Sequence, residues 1–277
     1  MHSDEDEHYL HAYRMGNSWD RIVTVSERIQ SRLKALSPSF ADRTQLIRYG
    51  IEIDSLDQKA ISELRNSETL RIVYTGRIQE QQKRIFDFVT LAEMLHDRNV
   101  PFEMTLIGDG DDLSELRKRM QPFIDRKQVW LPGRMTTGEI RQQLMRHHVF
   151  CLVSEFEGLP LSMLEAMAVE CVPVVHKIES GVSEILTHGD NALLSPRKDI
   201  AAMADNLVEL HEDVVLRKSL ARRARMTLFR YRLTVEQMAG SYAKLFEELH
   251  QEIDTGGRSV VSLPINCPAV DQMLNAA

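Results

Sequence analysis

The sequence predicts an α/β fold built on a doubly wound parallel sheet, and three observations carry that expectation. From about residue 70, short apolar runs alternate with stretches whose apolar residues recur at i, i+3 and i+4, the pattern of strands alternating with amphipathic helices. Two of the runs, "HVFCLVS" and "VPVVHK", are almost continuously apolar, as a parallel strand covered on both faces requires. Glycine-containing turns close the runs "RIVYTG" and "FEMTLIGDG", at the strand ends where open parallel sheets place their ligand loops.

Taken in order, the acidic, histidine-rich start "MHSDEDEHYLHAYRMGNSW" reads as a solvated segment, although His2, His8 and His11 beside "DEDE" would also allow loose metal binding. "DRIVTVS" and "TQLIRYGIEI" read as strands around a helix from Glu27 to Leu36. "RIVYTGRI" is the next strand, followed by one helix through "KRIFDFVTLAEMLHDR". "FEMTLIGDG" leads into the helix "DDLSELRKRM", whose first-turn acids favour the dipole, and "QVWLPGRM" is a third strand. Thr136 and Glu139 have the Thr-x-x-Glu spacing of a capping box opening the helix "GEIRQQLMRH". "HVFCLVS", a helix containing Glu165, "VPVVHK" and a short strand around "NALLS" follow, and the chain then reads as helical from Asp199 to about Glu252.

Composition removes several classes. Of 277 residues 43% are hydrophobic and 27% charged, with net charge −7 and pI near 5.8. Arginines and lysines are interleaved with acids, which argues against a nucleic-acid surface. No apolar run reaches the roughly 18 residues of a membrane span, and no secretory signal opens the chain. Cys151, Cys171 and Cys267 share no CxxC spacing, and the first two sit in apolar runs as reduced core residues of a cytoplasmic protein.

The chemistry concentrates in two loops. In "TGRIQEQQKR", Gly76 and Arg77 end a strand and Lys83 stands at the start of the next helix. An arginine and a lysine beside helix amides make a diphosphate clamp; two solvated surface cations are the plain alternative. Neither GxGxxG nor GxxxxGK[ST] is present. In "SEFEGLPLSMLEAM", Glu157 and Glu165 are separated by seven residues, and Glu165 has almost wholly apolar neighbours in sequence. Glu157 alone could be a helix-start acid. Asp109-Gly110-Asp111 superficially matches a DxD metal site, but it ends a strand and opens a helix, the position of a structural turn.

The segments "YTGRIQEQQKR", "LIGDGDDLSEL", "VWLPGRM", "LVSEFEGLPLSMLEAMAVECVPVV" and "ESGVSEIL", in that order, resemble the donor-binding half of retaining GT-B glycosyltransferases of family 4, the glycosyl transferases group 1. The resemblance covers roughly residues 20 to 250. It implies a Rossmann-like fold and transfer of a sugar from a UDP-, GDP- or ADP-linked donor to an acceptor hydroxyl on a glycan, lipid or small molecule. Such chemistry serves carbohydrate or cell-envelope biosynthesis. It implies Arg77, Lys83 and Glu157 as catalytic residues, with the two cations taking the charge of the departing diphosphate, so that neither metal nor cofactor is needed. The implied donor contacts are Gly76, Arg77, Lys83, Arg134 (through its main chain), Glu157, Gly158, Leu159, Pro160, Leu161 and Glu165. Glu165 would accept from the ribose hydroxyls and Glu157 would meet the sugar, with Gly158 allowing close backbone approach and Pro160 suited to the first helical turn. Glu184 matches a donor-facing loop, or is a helix-start acid.

The same resemblance implies a division into 1–52, the end of an N-terminal acceptor-side domain; 53–67, an interdomain linker; 68–252, the nucleotide-sugar-binding domain with its crossing helix; and 253–277, a flexible tail. Most of the N-terminal domain would be missing, as in a fragment or a naturally truncated member, and a separate chain could supply it. Any peripheral membrane contact would run through that domain. The apolar face of the last helix, Met238, Tyr242, Leu245 and Leu249, is then expected to be partly exposed. Three readings remain: a glycosyltransferase, a nucleotide-sugar-binding module without catalysis of its own, and a GT-B nucleotide-sugar epimerase.

Overall fold

Where an apolar run has no polar interruption it becomes a strand with helices on both faces, and the order of those strands sets the site. The structure, a computed structural model, describes residues 1–254. Cys267 and the expected tail beyond Asp254 lie outside the described residues. The chain opens with α1 (Asp6–Met15), β1 (Ile22–Thr24), α2 (Glu27–Leu36) and β2 (Thr44–Leu46), and α3 (Gln58–Leu64) falls inside the stretch expected to be a linker. Then come β3 (Leu70–Thr75), α4 (Glu80–Lys83), α5 (Asp87–Asp97), β4 (Phe102–Ile107), α6 (Leu113–Asp125), β5 (Val129–Gly133), α7 (Thr137–Arg146) and β6 (Val149–Leu152). The series ends with α8 (Leu161–Ala168), β7 (Val172–His176), α9 (Gly181–Ile185), β8 (Leu193–Ser195), α10 (Ile200–Glu212), α11 (Val214–Arg230) and α12 (Val235–Asp254).

The main sheet has six parallel strands in the order β5-β4-β3-β6-β7-β8. From β3 the chain winds outward through β4 to β5, then returns to place β6 on the other side of β3. The switch of direction therefore lies between β3 and β6, and in open α/β sheets ligands bind outside the carboxyl ends of the strands at such a point. Every residue of β6 and β7 is buried, which explains their unbroken apolar sequences. α5 packs against α6 and α10, and α8 against α7 and α11, as right-handed crossovers running in opposite directions require. On α5 the buried Phe88, Leu91, Ala92 and Leu95 follow helical spacing, and Met203, Ala204, Leu207 and Leu210 of α10 do the same.

β1 and β2 pair in parallel, Ile22 opposite Thr44, around α2. Ser26 caps α2 by accepting from the Ile29 N–H at 3.2 Å. This small sheet is tied to the larger one by charge. Glu184, in the first turn of α9, accepts from the Arg28 N–H at 3.0 Å and from Arg48 Nη2 at 2.9 Å. The helix-start position read from sequence holds, and its carboxylate serves this tie.

Three expectations need correction, and the α12 face is close to what was expected. The acidic start is not simply solvated: Asp4 accepts from Tyr9 at 2.5 Å, Arg28 at 2.8 Å and Arg32 at 2.7 Å, and Tyr9 is fully buried. His2, His8 and His11 disperse, against Tyr49, Glu5 and Trp19 respectively. The helix after β3 is broken: Arg84 takes a left-handed conformation at φ 49°. Its guanidinium grips Asp87 through two bonds (2.6 and 3.0 Å), and Glu80 accepts from the Phe86 N–H at 2.9 Å. Lys83 thus ends the one-turn α4 instead of starting a long helix. On α12, Leu245 is buried and Met238, Tyr242 and Leu249 are half-buried, while Phe246 and Ile253 are the exposed apolar residues. The Gly50 N–H donates to Met238 Sδ, Ile51 bridges to Thr234, and Arg21 pairs with Glu252, so the N-terminal segment covers part of the face expected to be partly exposed.

Candidate functional site

At the carboxyl ends of β3 and β6 the structure opens a cleft of about 410 Å³. Thr75, Gly76 and Arg77 line it from the loop after β3, Lys83 from α4, and Glu157, Leu159, Pro160, Leu161 and Glu165 from the loop after β6 and from α8. His2 and Tyr49, from the N-terminal unit, complete the lining. Eight of the ten sequence-predicted site residues therefore meet in one place. Gly158 lies behind the wall: a Cβ there would sit 2.1 Å from the His2 carbonyl oxygen. Its close approach is to that backbone, not to the cleft. Arg134 is exposed just past β5 and does not line the cleft.

The loops are held by their backbones. The Gly76 N–H donates to the Ile107 carbonyl at 3.0 Å, Ile78 N–H to Asp109 at 2.9 Å, and Gly108 N–H to Gly133 at 2.9 Å. Gly108 has φ +149°, and a Cβ there would fall 1.8 Å from the Gly76 carbonyl oxygen, so only glycine lets the turns after β3 and β4 meet. The carboxylates of "GDGDD" belong to this lacing. Asp109 accepts from the Gly110 N–H at 2.9 Å and Asp112 from the Glu80 N–H at 2.7 Å.

Gln82 is a site residue that the sequence reading missed. It is buried; its Oε1 accepts from Arg77 Nη2 at 2.5 Å, its Nε2 donates to the Phe156 carbonyl at 3.2 Å, and its own carbonyl accepts from the Glu155 N–H at 2.8 Å. One amide thus aims Arg77 and clamps α4 to the loop that carries Glu157. The available signal was its place between Arg77 and Lys83, but a glutamine in a polar run looks solvated until its partners are known.

The charges are arranged unevenly. Lys83 Nζ and Glu157 Oε1 are 2.5 Å apart, with side chains only 14% and 8% exposed; a pair so placed is held mainly because each charge would be costly to strand alone. Glu165 differs: half-buried on the cleft-facing side of α8, it forms no hydrogen bond or ion pair among the described residues. Burial pushes its carboxyl above the usual carboxylate range. α8 opens into the same cleft without a side-chain cap at Pro160, and uncapped first-turn N–H groups favour an anion. The cleft thus offers two cations and a helix N-terminus at one end and an unpartnered carboxylate one to two turns along the helix. Elsewhere, burial pushes the Cys171 thiol up to about 11, and Cys151 is fully buried; both are inert core groups.

Known proteins share this arrangement of strands. The structure superposes on a mutant of S. aureus TarM crystallised with Fondaparinux, alpha-GlcNAc-glycerol and UDP, with a TM-score of 0.76 at 19% identity, covering 89% of this chain and 50% of that one. It also superposes on Anabaena HepE in complex with UDP and glucose, with a TM-score of 0.73 at 18% identity over 88% and 67% of the two chains. The fold is that of the GT-B glycosyltransferases. The profile of the family "Glycosyl transferases group 1" matches residues 57–227, and the chain belongs to that family. Among curated relatives, the amylovoran biosynthesis glycosyltransferase AmsK of Erwinia amylovora is 29% identical over 243 residues, 84% of this chain and 58% of the relative. The chain spans about half the length of the curated relatives it matches. Among the described residues no helix is long and apolar enough to cross a membrane.

Proposed function

We propose that this chain supplies the donor half of a retaining, metal-independent glycosyltransferase, binding a nucleoside diphosphate sugar in the cleft at the β3–β6 switch. The observation that carries the reading is the combination of a partnerless, half-buried Glu165 with Arg77, Lys83 and the open α8 N-terminus in one cleft. A diphosphate answers the cations and amides, and a ribose diol answers the carboxylate, whose desolvation two charge-assisted bonds would offset. On donor binding Lys83 exchanges Glu157 for the diphosphate, which frees Glu157 to accept from sugar hydroxyls. In the transfer step the bond from the anomeric carbon to the diphosphate oxygen breaks and that from the anomeric carbon to the acceptor oxygen forms on the same face. The acceptor proton passes to the departing phosphate, while Arg77 and Lys83 stabilise the charge that develops there. The TarM and HepE complexes contain UDP, which makes a uridine nucleotide the first donor to test. The relatives' names in polysaccharide biosynthesis, amylovoran and colanic acid, favour a glycan or lipid-linked acceptor.

The chain's span of about half its relatives favours a second reading, in which it holds the nucleotide sugar but completes transfer only with an acceptor-side half. Both readings require the same donor contacts. Lys83→Ala is expected to weaken UDP binding about 10- to 100-fold, the loss of one to two charge-assisted bonds, and to leave uridine binding nearly unchanged. Calorimetric titration of both ligands measures this; equal losses for UDP and uridine would remove Lys83 from the diphosphate.

A further inference from the structure

At the opposite, amino-terminal edge of the sheet lies a second cavity, of about 470 Å³, a volume in the range of small-molecule sites. It is separated from the donor cleft by the length of β3, six residues or about 20 Å. Four cations line it: Arg65, just after α3, and Arg217, Lys218 and Arg222 from α11.

The four cations outnumber the two acids, Glu68 and Glu170, that share the cavity. The Arg65 guanidinium donates to the carbonyls of Leu144, Met145, Val169 and Glu170, at 2.8 to 3.2 Å, and Arg217 Nη1 donates to the Leu210 carbonyl at 2.7 Å. Both are fixed by neutral acceptors and form no ion pair among the described residues, although Glu68 and Glu170 line the same cavity. Lys218 and Arg222 make no hydrogen bond or ion pair among the described residues. Burial first, and the positive charge of Arg65 second, hold Arg217 below the usual arginine range. His148 adds no charge at neutral pH: Nδ1 accepts from the Arg71 N–H at 3.0 Å, Nε2 donates to the Arg65 carbonyl at 2.9 Å, and burial pushes its pKa down to about 4. Of the two acids, Glu68 is exposed and Glu170 is engaged by Gln58 Nε2 at 3.0 Å.

The concentration is local. The chain as a whole carries −7, yet α11 holds Arg217, Lys218, Arg222, Arg223, Arg225 and Arg230 and no acid. The interleaving of charges expected from composition fails over this helix. Beside the cations, Ser62, Asn66 and Ser67 offer hydroxyl and amide groups to the same space.

We infer that this cavity binds a small phosphorylated polyol of the sugar-phosphate class, its phosphate held by Arg217, Lys218 and Arg222 and its hydroxyls by Ser62, Asn66 and Ser67. The site is independent of the donor cleft. It is tested by titrating glucose 1-phosphate, inorganic phosphate and glucose into the full chain, into a Lys218→Ala/Arg222→Ala double variant, and into Lys83→Ala. The expected result is millimolar or tighter binding of glucose 1-phosphate, weaker binding of phosphate and none of glucose. Binding should weaken at least about tenfold in the double variant and be kept in Lys83→Ala. Loss in Lys83→Ala alone would place the ligand in the donor cleft and overturn the inference. So would equal binding by all three chains, glucose binding as well as its phosphate, or no binding by the unaltered chain.

Discussion

Glu165 is the residue on which the site turns. A half-buried carboxylate that lines its pocket beside Ile140, Leu144 and Leu161 is costly to ionise in the free chain, and burial accordingly raises its pKa. A carboxyl whose folded pKa lies above its unfolded value costs nothing below the unfolded pKa. The cost grows as pH rises through the folded pKa and is complete above it. Glu165→Gln is therefore expected to raise the melting temperature of the ligand-free chain near neutral pH, with the gain closing below about pH 4, where the unfolded carboxyl protonates. A melting series against pH reads this directly; a gain independent of pH, or a loss, would contradict it. The same variant is expected to bind ribonucleotides more weakly while losing little toward 2′,3′-dideoxy analogues, the exchange of stability for function common at such sites. Gln82 shows the converse. Its role depends on Arg77 and on the Phe156 carbonyl, 74 residues away, and no local pattern announces that.

At the scale of elements, what could be read in advance was what local chemistry decides. β6 and β7 were legible because strands buried on both faces must be apolar throughout. α7 was legible because Thr136 and Glu139 form the reciprocal cap seen in the structure, with Thr136 N–H to Glu139 Oε2 at 2.8 Å and Glu139 N–H to Thr136 Oγ1 at 3.4 Å. Removing it with Thr136→Ala is expected to cost about 1 kcal/mol, visible as a lower urea midpoint with an unchanged m-value; a cost near zero would mean that packing on α3, α8 and β3 holds the helix without its cap. The break at Arg84 escaped because a non-glycine left-handed residue has no compositional marker and depends here on Asp87 and Glu80. Asp4 and α1 escaped for a related reason: the arginines that hold Asp4 lie on α2, which only the fold brings near.

For the whole molecule, the N-terminal unit and the loops of the larger sheet both line the cleft, the former through His2 and Tyr49. Arg48 joins both sides by binding Glu27 and Glu184 at 2.9 Å each. The sequence reading put its candidate residues at one sheet edge, where the cleft opens, because five ordered segments mark the loops there. It did not anticipate how far residues 1–52 and α12 cover one another, since that packing joins segments some 200 residues apart. Nor did it register the cationic α11, whose charge vanishes into a net-negative average. The central claim is that the cleft at the β3–β6 switch holds a nucleoside diphosphate without a metal ion. The measurement that tests it most directly is thermal stabilisation of the chain by UDP, GDP and ADP, each with magnesium and with a chelator. A ligand at a hundred times its dissociation constant adds about 2.7 kcal/mol. The account predicts a shift of several degrees with one nucleotide, equal in both conditions and cut to about half or less in Lys83→Ala. No shift with any of the three, or a shift that requires magnesium, would contradict it.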